Sequence, residues 1–73
     1  MQELKIHTEY ITLGQALKLA NITSSGVESK ILITEGEVSV NGEVERRRGK
    51  KLRHGDTFTY KQDTFIVHAD QNA

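Results

Sequence analysis

The sequence predicts a single α+β domain, in which two short N-terminal helices pack on a small, mostly antiparallel sheet of four to five strands. Apolar residues recur with helical spacing between positions 13 and 33, whereas they alternate in short runs at the start and in the second half of the chain. A length of 73 residues allows one modest core. We therefore expect one domain over residues 1–69 and a frayed tail over residues 70–73.

The first predicted helix spans residues 13–21. Thr12 has the position of an N-cap and Gln15 follows three residues later, which is the spacing of a capping box. Asn21 is a residue that can end the helix. The apolar stripe of this helix consists of Leu13, Ala16, Leu17 and Ala20.

The second predicted helix spans about residues 25–35. Ser25 and Glu28 repeat the capping-box spacing, and Gly36 stands where a glycine commonly ends a helix. Residues 31–33 are also compatible with a strand, but the signals on either side favour the helix. Its apolar stripe is expected to be Val27, Ile31 and Leu32.

The strands are predicted from alternation and from turn residues. Asn41-Gly42 between alternating apolar residues predicts a two-residue type I′ hairpin, because both turn residues need a positive φ. A strand begins the chain around Leu4 and Ile6, and two later strands, 57–60 and 64–68, are joined around residues 62–63. The aromatic residues on the later strands are expected in the core: Phe58, Tyr60 and Phe65.

The bulk composition excludes several classes of protein. The absence of cysteine excludes disulfides and thiol nucleophiles and suits a reducing cytosol. No apolar run approaches the roughly 20 residues of a membrane span, and the first residues do not resemble a signal peptide. We expect a cytoplasmic protein with no membrane partner. The spacing of His7, His54 and His68 matches no metal or catalytic motif, so we expect no enzyme, metal or cofactor.

The charges are segregated although the formal net charge is zero. Residues 1–45 contain three basic side chains and seven acidic ones, whereas residues 46–61 contain seven basic side chains and one acid, Asp56. Six of these cations fall within residues 46–53, which we call the basic segment. A cluster of this density suits phosphate binding, since each neutralised phosphate releases condensed counterions. The alternatives are a solvated loop and an adaptor surface for an acidic protein partner.

The order of these elements resembles the αL RNA-binding motif. The resemblance rests on two short helices followed by Val38-Ser39-Val40-Asn41-Gly42 and then by residues 49–56, Gly-Lys-Lys-Leu-Arg-His-Gly-Asp. This motif is shared by a small-subunit ribosomal protein of the S-four type, pseudouridine synthases and bacterial tyrosyl-tRNA synthetases, and the length is similar to that of stand-alone bacterial members of the YaaA type. Thr12-Leu13-Gly14 stands where the family's first helix usually opens with Arg-Leu-Asp.

The resemblance implies a module that binds structured RNA, ribosomal RNA or tRNA, with ribosomal particles as possible partners. It implies that the basic segment projects from the core and holds phosphates, while the two helices form the opposing wall. Leu52 within the segment is expected to be a core anchor. The predicted RNA-binding residues are Lys30, Arg46, Arg47, Arg48, Lys50, Lys51 and Arg53.

Overall fold

The computed structural model describes residues 1–70, and its elements follow the predicted order of a strand, two helices and several short strands, except that a second short strand precedes the first helix. Within the described residues, neither helix is long and apolar enough to cross a membrane. Residues 71–73 of the predicted tail lie outside the described part, whereas the Asp70 N–H donates to the Ile6 carbonyl at 2.9 Å. The elements are β1 (Gln2–Ile6), β2 (Tyr10–Thr12), α1 (Leu13–Leu19), α2 (Gly26–Thr34), β3 (Val38–Val40), β4 (Glu43–Val44), β5 (Lys51–Arg53), β6 (Thr57–Tyr60) and β7 (Asp63–Ala69).

The main sheet has five strands in the order β1-β7-β6-β3-β4, and all of its pairs are antiparallel except β1 with β7. The α+β class and the mostly antiparallel sheet are thus confirmed. A second sheet, which the sequence did not predict, pairs β2 with β5 in antiparallel register. We call it the β2–β5 ribbon. It joins the residues just before α1 to the end of the basic segment.

Helix α1 begins and ends with the predicted capping residues. The Thr12 hydroxyl accepts from the Gln15 N–H, and the Gln15 side-chain oxygen accepts from the Thr12 N–H, both at 3.4 Å. Leu13, Ala16 and Leu17 are fully buried. Asn21 has a φ of 65° just after the helix ends. The predicted capping box is therefore confirmed, although α1 ends at Leu19, two residues early.

Helix α2 has the predicted caps but a different buried face. Ser25 accepts from the Glu28 N–H at 3.1 Å, and Gly36 follows the helix with a φ of 78°. The predicted apolar stripe is wrong at two of its three residues, since Val27 is 70% exposed and Ile31 is 50% exposed, whereas Leu32 is half-buried against the core. The buried residues are Ser29 and Ile33.

A chain of buried polar contacts explains this orientation of α2. The Ser29 hydroxyl donates to the carbonyl of Gly14 at 3.3 Å and is 2.5 Å from the Thr23 hydroxyl. A buried hydroxyl with hydrogen-bond partners avoids the cost of desolvation, so Ser29 can pack against α1. Val27 and Ile31 consequently face away from the core.

The core lies between the helices and one face of the main sheet. Phe58 and Phe65 are buried and stack with their ring centroids 5.1 Å apart, while Tyr60 is only half-buried at the edge of the core. Leu52 is fully buried, which confirms its predicted role as an anchor. Burial of a leucine of this kind is worth about 1.5–3 kcal/mol, so the middle of the basic segment is firmly attached to the core.

The predicted Asn41-Gly42 hairpin is confirmed and provides a stability test. Asn41 and Gly42 have φ values of 51° and 88°, and Val40 pairs with Glu43 across the two-residue turn. We expect Gly42→Val to lower the free energy of unfolding by about 1–3 kcal/mol, because a β-branched residue is strained at this φ. In a domain of this size the midpoint of thermal unfolding should fall by about 4–8 °C per kcal/mol.

Gly26→Val is the matched control for Gly42→Val. Among residues 1–70, nothing lies within 4 Å of a Cβ built on either glycine, and of these two glycines Gly42 has a positive φ whereas Gly26 does not. Any difference between the two variants therefore reports backbone strain at the turn. Equal unfolding midpoints for both variants and the wild type would contradict this description of the hairpin.

Candidate nucleic-acid interface

The basic segment is attached to the start of α1 through its own backbone. The Leu13 N–H donates to the Lys50 carbonyl at 2.8 Å, and the Gly14 N–H donates to the Arg48 carbonyl at 3.1 Å. The first N–H groups of a helix have no hydrogen-bond partner within the helix. The carbonyl groups of the basic segment provide partners for two of these N–H groups of α1. The prediction that the segment projects from the core is wrong, because its backbone lies along the core.

Four of the predicted residues surround one shallow hollow of about 480 Å³. Its lining consists of Gly49 and the side chains of Arg47, Lys50, Lys51 and Arg53. Lys50 is half-buried and the other three cations are exposed. We call this site the four-cation hollow. Clustered positive charge raises the local potential that an anion meets, although the whole chain is formally neutral.

An acidic neighbour holds one of these cations in place. The Arg47 guanidinium donates to both carboxylate oxygens of Glu45, from Nε at 2.9 Å and from Nη2 at 3.1 Å. This bidentate hydrogen bond lowers the pKa of Glu45 to about 2 and raises the pKa of Arg47. The Glu45 side chain is 14% exposed and that of Arg47 is 74% exposed.

The direction of the pKa shift of Glu45 determines how the stability contributed by the Glu45–Arg47 pair depends on pH. Because the pKa is lower in the folded chain, the pair contributes stability above the ordinary carboxyl pKa of 4.5, and this contribution is lost as the pH falls towards about 2. Arg47 is therefore held in one orientation at neutral pH, with most of its surface facing solvent.

Arg48 lies on the other side of Gly49, against α1. A Cβ built on Gly14 would be 2.8 Å from Cγ and 3.3 Å from Cδ of Arg48, so the arginine stem occupies the space that a side chain at position 14 would need. The absence of a side chain at Gly14, where the αL family usually has aspartate, thus makes room for Arg48. Arg48 lines a groove of about 310 Å³ together with Thr12, Gly14, Gln15, Lys18, Gly26 and Gly49.

Arg46 and Lys30 are both associated with α2, and neither lines the four-cation hollow. Nη1 of Arg46 donates to the Thr34 carbonyl at 2.9 Å, so its guanidinium caps the C-terminus of α2. Lys30 is exposed and lies one turn after Gly26, which places it on the side of α2 that borders the groove.

Tyr10 is a residue of this surface that sequence reasoning left unassigned. Tyr10 as a residue is 37% exposed, and the centroid of its ring lies 4.8 Å from Nζ of Lys51 and 5.4 Å from Cζ of Arg53. Tyr10 pairs with Arg53 across the β2–β5 ribbon. The available signal was the β-forming run Tyr10-Ile11-Thr12 and the alternation of Leu52 between two cations.

Two of the three histidines, His54 and His68, contact neighbouring strands or loops of the fold. Nδ1 of His54 accepts from the Ala69 N–H at 3.1 Å, and Nδ1 of His68 lies 3.5 Å from a Glu3 carboxylate oxygen on the adjacent strand. His54 also borders an open hollow of about 510 Å³ with Glu9 and Arg53. Within residues 1–70, no group of three or more histidine and acidic side chains is arranged to hold a metal ion.

Comparison with known proteins decides the family. The model of the S4 domain family matches residues 4–68, which is most of the chain. The chain belongs to the S4 domain family. The resemblance to the αL motif is confirmed by this match and by the fold. The order of helices, hairpin and basic segment is therefore that of an S4 domain, with the β2–β5 ribbon holding the end of the segment.

Relatives of this S4 domain include two bacterial proteins with descriptive names. A probable ribosome maturation protein, RlbA of Bacillus subtilis, is 53% identical over 53 residues, which are 73% of this chain and 75% of the relative. A putative RNA-binding protein, YbcJ of Escherichia coli, is 39% identical over 51 residues, which are 70% of this chain and 73% of the relative.

A solved structure is similar to this S4 domain over nearly its whole length. The solution structure of YbcJ from Escherichia coli is described as revealing an αL motif involved in RNA-binding. It superposes with a TM-score of 0.72 at 33% identity and covers 94% of this chain and 89% of that protein. The likeness supports the same α+β arrangement of two helices and a mostly antiparallel sheet.

Proposed function

We propose that this S4 domain is a non-enzymatic RNA-binding protein that binds folded ribosomal RNA and acts in the maturation of ribosomal particles in the cytoplasm. The observation that carries the proposal is the four-cation hollow, in which Arg47, Lys50, Lys51 and Arg53 converge on one side of the molecule. The names of RlbA and YbcJ support RNA as the ligand, and the name of RlbA favours ribosomal RNA over tRNA.

The four-cation hollow is suited to phosphate groups of the RNA backbone. Guanidinium groups hold two phosphate oxygens at once, whereas lysine ammonium groups act as compact point charges. Arg47 is oriented by Glu45, and β5 fixes the spacing of Lys51 and Arg53 on one strand. Less side-chain entropy is lost on binding when the cations are held before the RNA arrives.

The adjoining groove would provide a second line of contacts. Arg48 and Lys18 line it, and Lys30 lies on the bordering side of α2. A folded RNA presents phosphates at fixed spacings, so that two neighbouring cationic sites can be occupied together. Arg46 would add long-range charge while its guanidinium caps α2. This arrangement favours recognition of RNA shape over reading of base sequence.

The competing interpretation is an adaptor whose cations dock on an acidic protein. Both ligands are anionic, so charge alone does not separate them. Excess absorbance at 260 nm in the purified protein, removed by high salt, would favour RNA. A preparation that retains an acidic protein and no nucleic acid would contradict the proposed function.

The salt dependence of binding measures the number of phosphate contacts. If four to six phosphates are neutralised on a duplex-like site, the logarithm of the binding constant should fall against the logarithm of salt concentration with a slope of about −3.5 to −5.5. Fluorescence anisotropy with a labelled ribosomal RNA hairpin gives this slope. Unstructured polyuridine of equal length is the comparison and should bind more weakly. A slope near zero, or a preference for polyuridine, would contradict phosphate recognition on folded RNA.

A further inference from the structure

The β2–β5 ribbon brings an exposed aromatic ring to the edge of the four-cation hollow. Tyr10 lies beside Lys51 and Arg53, and both of these cations also line the hollow. The remaining phenylalanine and tyrosine side chains, Phe58, Tyr60 and Phe65, are buried or half-buried. Tyr10 thus combines a partly exposed π-face with two phosphate-binding groups in one place.

We propose that Tyr10 is a stacking site for an unpaired nucleobase whose flanking phosphates are held by Lys51 and Arg53. This inference rests on the proposed function and adds a base contact to it. Unpaired bases in RNA loops and bulges stack on aromatic rings and on arginine planes. In the free protein the ammonium of Lys51 lies over the ring at 4.8 Å from its centroid. A phosphate that draws this ammonium aside leaves a ring face for the base.

The surroundings of Tyr10 also suit a flat, partly apolar group. Tyr10 and Ile11 line an open hollow of about 730 Å³ that extends between β1 and α1, where Ile6 and Leu19 border it. Leu19 is 55% exposed. An extruded base can therefore contact apolar side chains as well as the ring, while its phosphates stay near β5.

The test compares two RNA hairpins of equal length, one fully paired in its stem and one with a single bulged adenosine. Tyr10→Leu is expected to weaken binding of the bulged hairpin roughly 5- to 150-fold, which is the usual range for loss of one stacked base. Binding of the paired hairpin should weaken much less. Tyr10→Phe keeps the ring and should restore the preference for the bulge.

A second measurement uses the wild-type protein. The bulged adenosine is replaced by the fluorescent base 2-aminopurine. The fluorescence of the 2-aminopurine should be quenched when this base stacks on Tyr10. Equal loss of affinity for both hairpins in Tyr10→Leu, or no quenching with the wild type, would overturn the stacking site and leave the proposed function standing. If the wild type bound neither hairpin, both proposals would fail together.

Discussion

Replacing Lys51 and Arg53 together by glutamine is expected to lower the affinity for a folded ribosomal RNA hairpin by roughly 30- to 100-fold. Hydrogen bonds to charged groups contribute about 1.5–3 kcal/mol, but Lys51 and Arg53 are exposed and screened by salt, so we take about 1–1.5 kcal/mol for each contact. A difference of 1.4 kcal/mol corresponds to tenfold in affinity. Both side chains are exposed on β5 on either side of the buried Leu52, so the substitutions spare the core. The salt slope should become shallower by about 1.8, because two phosphates are no longer neutralised.

Lys61→Glu is the matched control for this double variant, since both changes lower the net charge by two. Lys61 lies in the turn after β6, and it lines neither the four-cation hollow nor the groove. It tests whether overall charge or the particular surface determines binding. Equal losses in the two variants, with unchanged circular dichroism spectra, would contradict the assignment of the site.

Leu52→Ala is expected to have the largest effect on stability of any change in the basic segment. Leu52 is fully buried, and its strand neighbour across the β2–β5 ribbon is Ile11, which packs against the core. Truncation of a buried leucine typically costs about 2–5 kcal/mol, since a cavity remains where the side chain was. At about 4–8 °C per kcal/mol, the midpoint of thermal unfolding should fall by roughly 8–40 °C.

The same substitution at Leu19 provides the control for Leu52→Ala. Leu19 is 55% exposed at the end of α1, and surface substitutions usually change stability by about 0.5 kcal/mol or less. Only Leu52→Ala should also weaken binding of a fully paired RNA hairpin, which presents no extruded base to Leu19, because this substitution loosens the strand that spaces Lys51 and Arg53. An unfolding midpoint within a few degrees of wild type for Leu52→Ala would show that the segment is not anchored there.

The local features of the fold could be predicted from the sequence because short-range physics determines them. The capping residues Thr12 and Ser25 act within their own first helical turn, and the Asn41-Gly42 turn requires positive φ at adjacent positions. The features that were missed depend on distant partners. Strand β1 pairs in parallel with β7 at the other end of the chain, and β2 pairs with β5 across both helices.

The buried face of α2 was predicted wrongly for a similar reason. Apolar spacing favoured Val27 and Ile31, but the structure buries Ser29 instead. The hydroxyl of Ser29 is satisfied by the Gly14 carbonyl and by Thr23, which are supplied by the fold and not by the helix itself. Hydrophobic periodicity takes no account of a polar side chain that finds its partners on another element.

The candidate site was also predictable only where it depends on local sequence, and its tertiary contacts were not. Charge density identified the basic segment, but it could not assign different positions to three consecutive arginines. In the structure Arg46 caps α2, Arg47 pairs with Glu45, and Arg48 packs over Gly14. Tyr10 joined the surface only through the β2–β5 ribbon.

The most direct test of the account is the footprint of a folded ribosomal RNA hairpin on the protein. Titration of the ¹⁵N-labelled protein would be followed by the chemical shifts of its backbone amides. We predict that the largest changes fall within residues 46–53, with further changes at Tyr10 and at the start of α1. Chemical-shift changes confined to the exposed face formed by Val27 and Ile31 would contradict this assignment of the RNA-binding surface. The absence of any chemical-shift change with a large excess of the hairpin would also contradict it.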